Sequence, residues 1–325
     1  MNFIDKIKEK PFVVFGRAGI DLYADPAGTS AETTNIFRSD LGGSSANICA
    51  GLCKLGCDSA LVTSISDDVV GRFCMNRLEY YGVDTKYVKI CSGEYRTSLA
   101  VYESKMDDFQ LCIYRNNAVD FQVTNADVDE VDYTKFCALI TAGTVFGSQP
   151  SRDSTFRAFE NAKKADLPVI FDIDYRPYSW SSAQVASEVL TRAAESSDFI
   201  VGNDEEFGFM AGDYNQGLDK ARDLANNGKF VIYKMGKEGA ITFVKGKEIR
   251  TGIFPVTALK PNGAGDGFLA GLLASLAHGY DLKWSIIRGS ACASIVVSNP
   301  GCAPAMPYTS ELEAFLQRNE VQKTT

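Results

Sequence analysis

The stretch PVIFDIDYRPYSWSSAQVASEVLTRAAESSDFIVGN, Pro168 to Asn203, sets two periodicities side by side. Its ends, PVIFDID (168–174) and DFIVGN (198–203), are short apolar runs that read as buried strands. Its middle, SAQVASEVLTRAAE (182–195), reads as a helix. Strand, helix, strand is the unit that builds a parallel sheet. The alternation continues in both directions. PFVVFG (11–16), SALVTSI (59–65), CALITAG (137–143) and KFVIYKM (229–235) read as further buried strands. SSANICAGLCKLG (44–56), GRFCMNRLEYYG (71–82) and SRDSTFRAFENAKKA (151–165) read as helices between them. After Ala258 the chain is mainly helical, over 265–278, 282–298 and 309–319. The expected architecture is α/β, a three-layer α/β/α sandwich around a mostly parallel sheet.

Two regions break the pattern. GRAGIDLYAD (16–25) and YRTSLAVYESKMDDFQLCIYRNN (95–117) look like strands with polar faces. RTSLAVYES and DFQLCIYRN, joined by KMDD, read as a hairpin. There is no internal repeat or Pro/Gly/Ser linker. The expectation is one domain, 1–325, carrying a small β-sheet lid built from about 16–40 and 93–120. A small sheet leaves edges and a face to cover. Leu99, Val101, Leu111 and Ile113 are the candidates to pack against a second subunit, which predicts a homodimer through the lid.

The totals exclude several classes. Of the 325 residues, 45% are hydrophobic and 23% charged, the balance of an ordinary globular chain. A formal charge of −8 argues against general affinity for nucleic acid or an anionic membrane. No apolar run is long enough to span a bilayer. MNFIDKIKEKPFVVFG shows no secretory apolar core or cleavage site, so a cytoplasmic location is expected. The nine cysteines fit free thiols in a reducing compartment. Cys49, Cys53 and Cys57 fall on one helical stripe, which reads as packing rather than as a metal site. The single histidine, His278, precedes Gly279 at a helix end and reads as a C-terminal cap.

Near the C-terminus, ALKPNGAGDGFLAGLLASLAHG (258–279) sets a glycine-rich turn before an apolar helix, with Asp266 between them. A helix N-terminus offers unpaired N–H groups and the positive end of the dipole. Glycines allow an anion to approach that backbone. Gly263, Ala264 and Gly265 therefore fit an anion cradle beside a carboxylate. Taken alone they equally fit a tight turn with Asp266 as a cap. The dinucleotide pattern GxGxxG fails at Phe268, and GxxxxGK[ST] is absent.

KPNGAGDGF (260–268) resembles the C-terminal signature of the ribokinase-like, phosphofructokinase-B type carbohydrate kinases. LGGSSANICAGLCKLG (41–56), preceded by GRAGIDLY (16–23), resembles their N-terminal signature. The two long motifs stand towards opposite ends of the chain in the right order, and the spacing holds across nearly its whole length. The resemblance implies a ribokinase-like fold and ATP-dependent transfer of phosphate to a sugar hydroxyl. It implies Asp266 as the base that takes the hydroxyl proton and Gly263, Ala264 and Gly265 as the anion hole. It implies Asp21, Gly42, Gly43 and Asn47 around the sugar. VGNDEEF (201–207) matches an Asn-x-x-Glu element, which implies Asn203 and Glu206 near Mg²⁺, largely through water. An acidic first helical turn complementing the dipole is the alternative for that pair. YKMGKEGA (233–240) resembles the turn along the ATP phosphates, through Lys234, Gly236 and Gly239; a surface hairpin turn is the alternative.

One position departs from the family pattern. Many members carry an aspartate six residues before the catalytic one, where it helps to bind a monovalent cation. This chain has Lys260, whose ammonium would supply that charge, so independence of potassium is expected. A lysine pointing into solvent is the alternative. Arg115 in IYRNNAVDF (113–121) and Arg176 in FDIDYRPYSW (171–180) lie near the implied sugar site. The guanidinium fork suits a carboxylate, although a surface ion pair is the commoner fate of one arginine. Both segments resemble the subfamily acting on keto-deoxy sugar acids. A small-molecule sugar acid and ATP are the expected ligands. Fructokinase or ribokinase activity would leave both arginines unmatched. A nonenzymatic sensor on the same scaffold would be marked by loss of Asp266 or of the turn, and both are present.

Overall fold

The computed structural model describes residues 3–7, 10–106 and 108–322. The strands are β1 Phe12–Phe15, β2 Gly19–Ala24, β3 Phe37–Gly42, β4 Ser59–Ser66, β5 Val88–Cys91, β6 Leu99–Tyr102 and β7 Leu111–Tyr114. They continue as β8 Ala138–Ala142, β9 Val169–Asp172, β10 Phe199–Asn203, β11 Phe230–Lys234, β12 Ala240–Val244 and β13 Lys247–Thr251. The helices are α1 Phe3–Lys6, α2 Ser44–Lys54, α3 Val69–Tyr80, α4 Asn125–Asp129, α5 Ser151–Lys164 and α6 Ala183–Ser196. After them come α7 Asp204–Ala211, α8 Gly217–Asn226, α9 Ala264–Ala277, α10 Leu282–Val297 and α11 Thr309–Arg318.

The main sheet has nine strands in the order β13-β12-β11-β10-β9-β8-β1-β4-β5. Pairing is parallel from β5 to β11, and β12 and β13 add antiparallel. Strand side chains alternate between two cores, as the period of two requires. Phe12, Val14, Leu61, Ile140, Ile170 and Phe199 face one core, shared with Leu52 of α2, Leu272 of α9 and Ile286 of α10. Val13, Phe15, Leu139, Phe171 and Ile200 face the other, shared with Phe159 of α5, Leu190 of α6, Phe207 of α7 and Leu224 of α8. That is the three-layer sandwich. α9 is apolar nearly all round because it is walled in. An added methyl at Gly271 would sit 2.9 Å from Cys292 Cβ, and one at Gly289 2.7 Å from the Phe268 carbonyl oxygen. His278 is the C-cap residue of α9, and its ring also reaches the Leu55 carbonyl past the end of α2, at 2.9 Å.

Several elements lack a strong sequence signal. β5 and β13 are sheet edges with exposed residues, and α8 is largely polar. α3 starts at Val69, ahead of the expected Gly71, because Asp68 accepts from the N–H groups of Val70 and Gly71.

A second, four-stranded sheet runs β3-β2-β6-β7. The hairpin is confirmed, with shorter strands: Leu99 pairs with Tyr114 and Tyr102 with Leu111, antiparallel. This register corrects the expectation that Leu99, Val101, Leu111 and Ile113 form one patch. Leu111 and Ile113 lie opposite Tyr102 and Ala100, pack with them and line the cleft described below. Leu99 and Val101 lie opposite Tyr114 and Cys112 on the other face, next to Ile20 and Leu22 of β2.

Candidate active site

The order of the main sheet reverses at β1, between β8 and β4. In an open α/β sheet the carboxyl ends of the strands at such a point form a crevice. A cleft of about 1250 Å³ lies there, lined by the start of α2, the ends of β9 and β11, the start of α9 and the lid.

α9 enters it through Gly263, which is left-handed at φ 80°. No side chain caps this end. Helix geometry leaves the N–H groups of Ala264, Gly265 and Asp266 without an intrahelical acceptor, at the positive end of the dipole. Bare glycine at 265 keeps the approach open. An added methyl there would come 3.4 Å from Lys234 Nζ and 3.9 Å from Asp172 Oδ2.

Asp266 does not cap its own helix. Its Oδ1 accepts from Ser44 Oγ at 2.7 Å and its Oδ2 from Asn47 Nδ2 at 2.9 Å. Both partners stand in the first turn of α2, 222 and 219 residues away in sequence. Burial, with the charges of Asp174 and Asp172, pushes its carboxyl up to about 7 against the pull of these two bonds. A carboxylate held by two donors, with a pKa near neutrality, is suited to general-base work. Asn47 Oδ1 is buried and has no partner among the described residues, which leaves an acceptor free beside that carboxylate.

Ser44 escapes the sequence reading although it sits inside LGGSSAN. Its signal is position, at the first residue of a helix that follows Gly43 at φ 100°. Gly43 lines the cleft and Gly42 does not. An added methyl at Gly42 would overlap the Asp21 carboxylate, so Gly42 makes room for Asp21. Asp21 itself is 1% exposed and lies behind the cleft wall. Its Oδ2 accepts from the Tyr23 hydroxyl at 2.9 Å, and its Oδ1 has no partner among the described residues. Burial raises its carboxyl to about 6, against the pull of Arg17 and Tyr23.

Asn203 and Glu206 form a reciprocal capping box at the start of α7. Asn203 Oδ1 accepts from the Glu206 N–H at 2.8 Å, and Glu206 Oε2 accepts from the Asn203 N–H at 2.8 Å. Glu206 Oε1 also accepts from the Tyr175 N–H, at 3.3 Å. The pair therefore builds the helix terminus, and its carboxylate joins an acidic cluster. Asp172 and Asp174, at the carboxyl end of β9, escape the sequence reading. Burial pushes the Asp172 carboxyl up to about 7, with Lys234 opposing and Glu206 and Asp174 adding repulsion. Burial also raises Glu206. Lys234, at the end of β11, and the turn through Gly236 and Gly239 line the same cleft. So do Ile253, Val256, Ala293 and Val297, an apolar stretch formed by the run after β13 and by α10.

Arg115 and Arg176 both reach the cleft, and both are already paired. Arg115 lies one residue past β7, donates to Asp120 Oδ2 from Nε at 3.1 Å and Nη2 at 2.5 Å, and donates to the Thr144 carbonyl at 2.9 Å. Arg176 Nη2 lies 2.8 Å from Asp174 Oδ1, with the side chain 47% exposed. The cleft holds a third guanidinium, Arg17, from the GRAGIDLY motif.

Lys260 does not point into solvent. It is 1% exposed, and its ammonium donates to the carbonyls of Asn262 at 2.7 Å and Val296 at 3.1 Å. Burial lowers its pKa, with Cys302, Asp266 and Asp21 opposing. A fixed positive charge thus sits under the turn that opens α9.

The pfkB family carbohydrate kinase model matches residues 10–308. The chain belongs to that family. It is 34% identical to the 5-dehydro-2-deoxygluconokinase of Geobacillus kaustophilus (strain HTA426), over 98% of each chain. In structure it is similar to a fructokinase double mutant from Vibrio cholerae O395, bound to fructose, ADP and a potassium ion. The TM-score there is 0.83 at 24% identity, covering 95% of this chain and 99% of the other. It is also similar to a provisionally assigned ribokinase II of E. coli in complex with ATP and Mg²⁺. That match has a TM-score of 0.85 at 20% identity, covering 95% and 100%. The fold is therefore ribokinase-like, and the protein is an ATP-dependent carbohydrate kinase. Among its described residues no helix is long and apolar enough to cross a membrane.

Proposed function

We propose that this kinase transfers the γ-phosphoryl group of ATP to a hydroxyl of 5-dehydro-2-deoxygluconate, a keto-deoxy sugar acid of myo-inositol breakdown. The observation that carries the catalytic part is Asp266, held by Ser44 and Asn47 at the uncapped start of α9 with its carboxyl near 7. The named relative and the arginines of the cleft support the acid. Asp266 takes the proton of the acceptor hydroxyl as its oxygen bonds to the γ-phosphorus. The bond from phosphorus to the bridging oxygen breaks, and ADP leaves with that electron pair. The N–H groups at Ala264, Gly265 and Asp266 stabilise charge on the phosphoryl oxygens, where fixed dipoles count most. Gly263 sets the turn that aims them.

Lys234, with Gly236 and Gly239, serves the phosphates of the nucleotide, and the apolar stretch at Ile253, Val256, Ala293 and Val297 suits its base. Gly43, Asn47, Arg115 and Arg176 serve the acceptor from the cleft wall, and Asp21, with Gly42 making room for it, supports that wall from behind. Among the described residues no three carboxylates converge as a direct metal cage, which fits Mg²⁺ held largely through water. The carboxylates of Asp172, Asp174 and Glu206 repel one another, so a nearby cation would be favoured. Asn203 and Glu206 would hold its water shell, and the ion would neutralise phosphate charge. Lys260, buried on two carbonyls, supports independence of potassium. The apolar outer face of the lid supports a homodimer. The nine free cysteines support a reducing, cytoplasmic setting.

The test is ADP release from ATP and magnesium with 5-dehydro-2-deoxygluconate, 2-keto-3-deoxygluconate, fructose, ribose or adenosine as acceptor. Turnover is expected with the first acid, and Asp266→Asn should lower kcat by ~10²–10⁴-fold. Preference for fructose or ribose would overturn the acid. Absence of any acceptor-dependent turnover would favour a sugar-acid sensor.

A further inference from the structure

The three guanidiniums of the cleft are unequally compensated. Every nitrogen-bearing arm of Arg115 is engaged, by Asp120 and the Thr144 carbonyl. Arg176 is paired with Asp174. Arg17 is 7% exposed and makes one side-chain bond, from Nη1 to Ser98 Oγ at 2.8 Å. No carboxylate oxygen lies within 4.0 Å of its guanidinium among the described residues. Asp21, the acid nearest in sequence, gives its Oδ2 to Tyr23 instead. The chain therefore keeps a buried guanidinium at the cleft wall that donates, among the described residues, to one neutral partner. Against burial, Asp21 and Asp120 act on its charge from beyond contact and raise its pKa. Buried N–H groups left without an acceptor are costly unless a ligand fills them.

We propose that Arg17 binds the carboxylate of the acceptor and is the residue by which this kinase selects an acid over a neutral sugar. This rests on the sugar-acid reading above. The surroundings fit the role. Gly19 gives the guanidinium room, since an added methyl there would meet Arg17 Nη1 at 2.7 Å. The Arg17 carbonyl accepts from the Ala46 N–H at 3.3 Å, so its backbone is tied to the same first turn of α2 that holds Asp266. Its side chain is tied to Ser98, at the edge of β6 in the lid. Arg17 thus has a fixed place relative to the base. Tyr178 lines the same cleft as the three arginines. Burial raises its hydroxyl, and Arg176, Arg17 and Arg115 all pull the other way. The fork of a guanidinium with free N–H groups matches a carboxylate through two hydrogen bonds. Arg115 and Arg176, each already paired with an aspartate, have less fork left to offer a carboxylate and serve the acceptor as ion pairs on the wall.

The experiment compares 5-dehydro-2-deoxygluconate with its carboxamide as acceptors for the wild type, Arg17→Gln and Arg17→Lys. The wild type should prefer the acid by on the order of 10²-fold in kcat/KM. Arg17→Gln should lose that preference, mainly through a higher KM for the acid, with the KM for ATP unchanged. Arg17→Lys keeps the charge without the fork and should retain an intermediate preference. It also serves if the glutamine variant fails to fold. An equal loss on acid and amide in both variants would mean a structural role and overturn the proposal. So would a variant that keeps the wild-type ratio, with the sugar-acid reading left standing. A wild type indifferent to acid and amide would instead defeat that reading, and this assignment with it.

Discussion

Asp266 must be ionised to act as a base, and its surroundings resist ionisation. Its carboxyl is held up at about 7 by burial and by Asp174 and Asp172. Two pH dependences follow, of opposite sign. kcat/KM should rise with pH, reach half its plateau near 7 and fall about tenfold per unit below that. Stability runs the other way. The folded state holds this proton from the ordinary carboxyl range, 3.8, up to about 7, so the contribution is intact below 3.8 and is lost as pH rises through 7. Asp266→Asn should therefore melt higher than the wild type at pH 8, by ~1 kcal/mol or more, with the gain vanishing near pH 4. Equal melting curves at pH 8, or a pH–rate profile flat through 7, would remove the raised carboxyl. At this scale the sequence is informative where chemistry is local. Asp266 stands out because a carboxylate follows a glycine turn at a helix start. Ser44, Arg17 and Asp172 do not stand out. Their significance comes from contacts across the chain, such as the 222-residue span from Ser44 to Asp266, which spacing along the chain does not encode.

α9 and α10 form the frame on which the proposed anion hole is mounted. The run from Phe254 to Lys260 is pinned to α10, where Ser294 Oγ donates to the Phe254 carbonyl and the Leu259 N–H donates to the Val297 carbonyl. Lys260 completes this joint by bridging Asn262 to Val296, at the last turn of α10. An ammonium on main-chain carbonyls occupies the kind of oxygen nest that a potassium ion would take. Exchanging sodium for potassium should change wild-type turnover by less than about twofold. Lys260→Met should remove the ammonium from the Asn262 carbonyl, at ~1–3 kcal/mol, while the Val296 carbonyl keeps the Asn299 N–H. Its turnover should drop at least tenfold, by about 1.4 kcal/mol of barrier, and potassium or ammonium ions should restore part of it. Strong potassium activation of the wild type would refute the built-in cation. Whole elements are more legible than single contacts. Central strands such as β1, β8 and β10 are buried on both faces, so their apolar runs stand out. β3 and β13 escape because edges and lids tolerate polar residues, which dilute the period of two. The lid's facing is legible only through register. A one-residue shift would exchange the two faces, and the strand pattern of β6 and β7 allows both.

The molecule as a whole is a three-layer sandwich with one small sheet laid beside its cleft. The two faces of that sheet have different tasks. Leu111 and Ile113 pack with Tyr102 and line the cleft, next to Met106 and Phe109. Leu22, Leu99 and Val101 lie half-buried on the opposite face with Tyr114, which is 61% exposed. A sheet of four strands, apolar on both faces, has a face to hide, and a second copy of the same lid is a self-complementary cover. The wild type should sediment at about twice 35.4 kDa. Val101→Glu places a charge in the middle of that outer face, and burying it unpaired costs several kcal/mol. The variant should sediment as a monomer at micromolar concentration with its main core and its melting transition largely intact. Because the cleft-lining residues hang on the same strands, loosening the lid should raise the acceptor KM about tenfold, ~1.4 kcal/mol, while the KM for ATP changes little. A wild type that sediments as a monomer would defeat the dimer. A dimeric Val101→Glu would move the interface off this face of the lid, and the acceptor KM would then be expected to stay put.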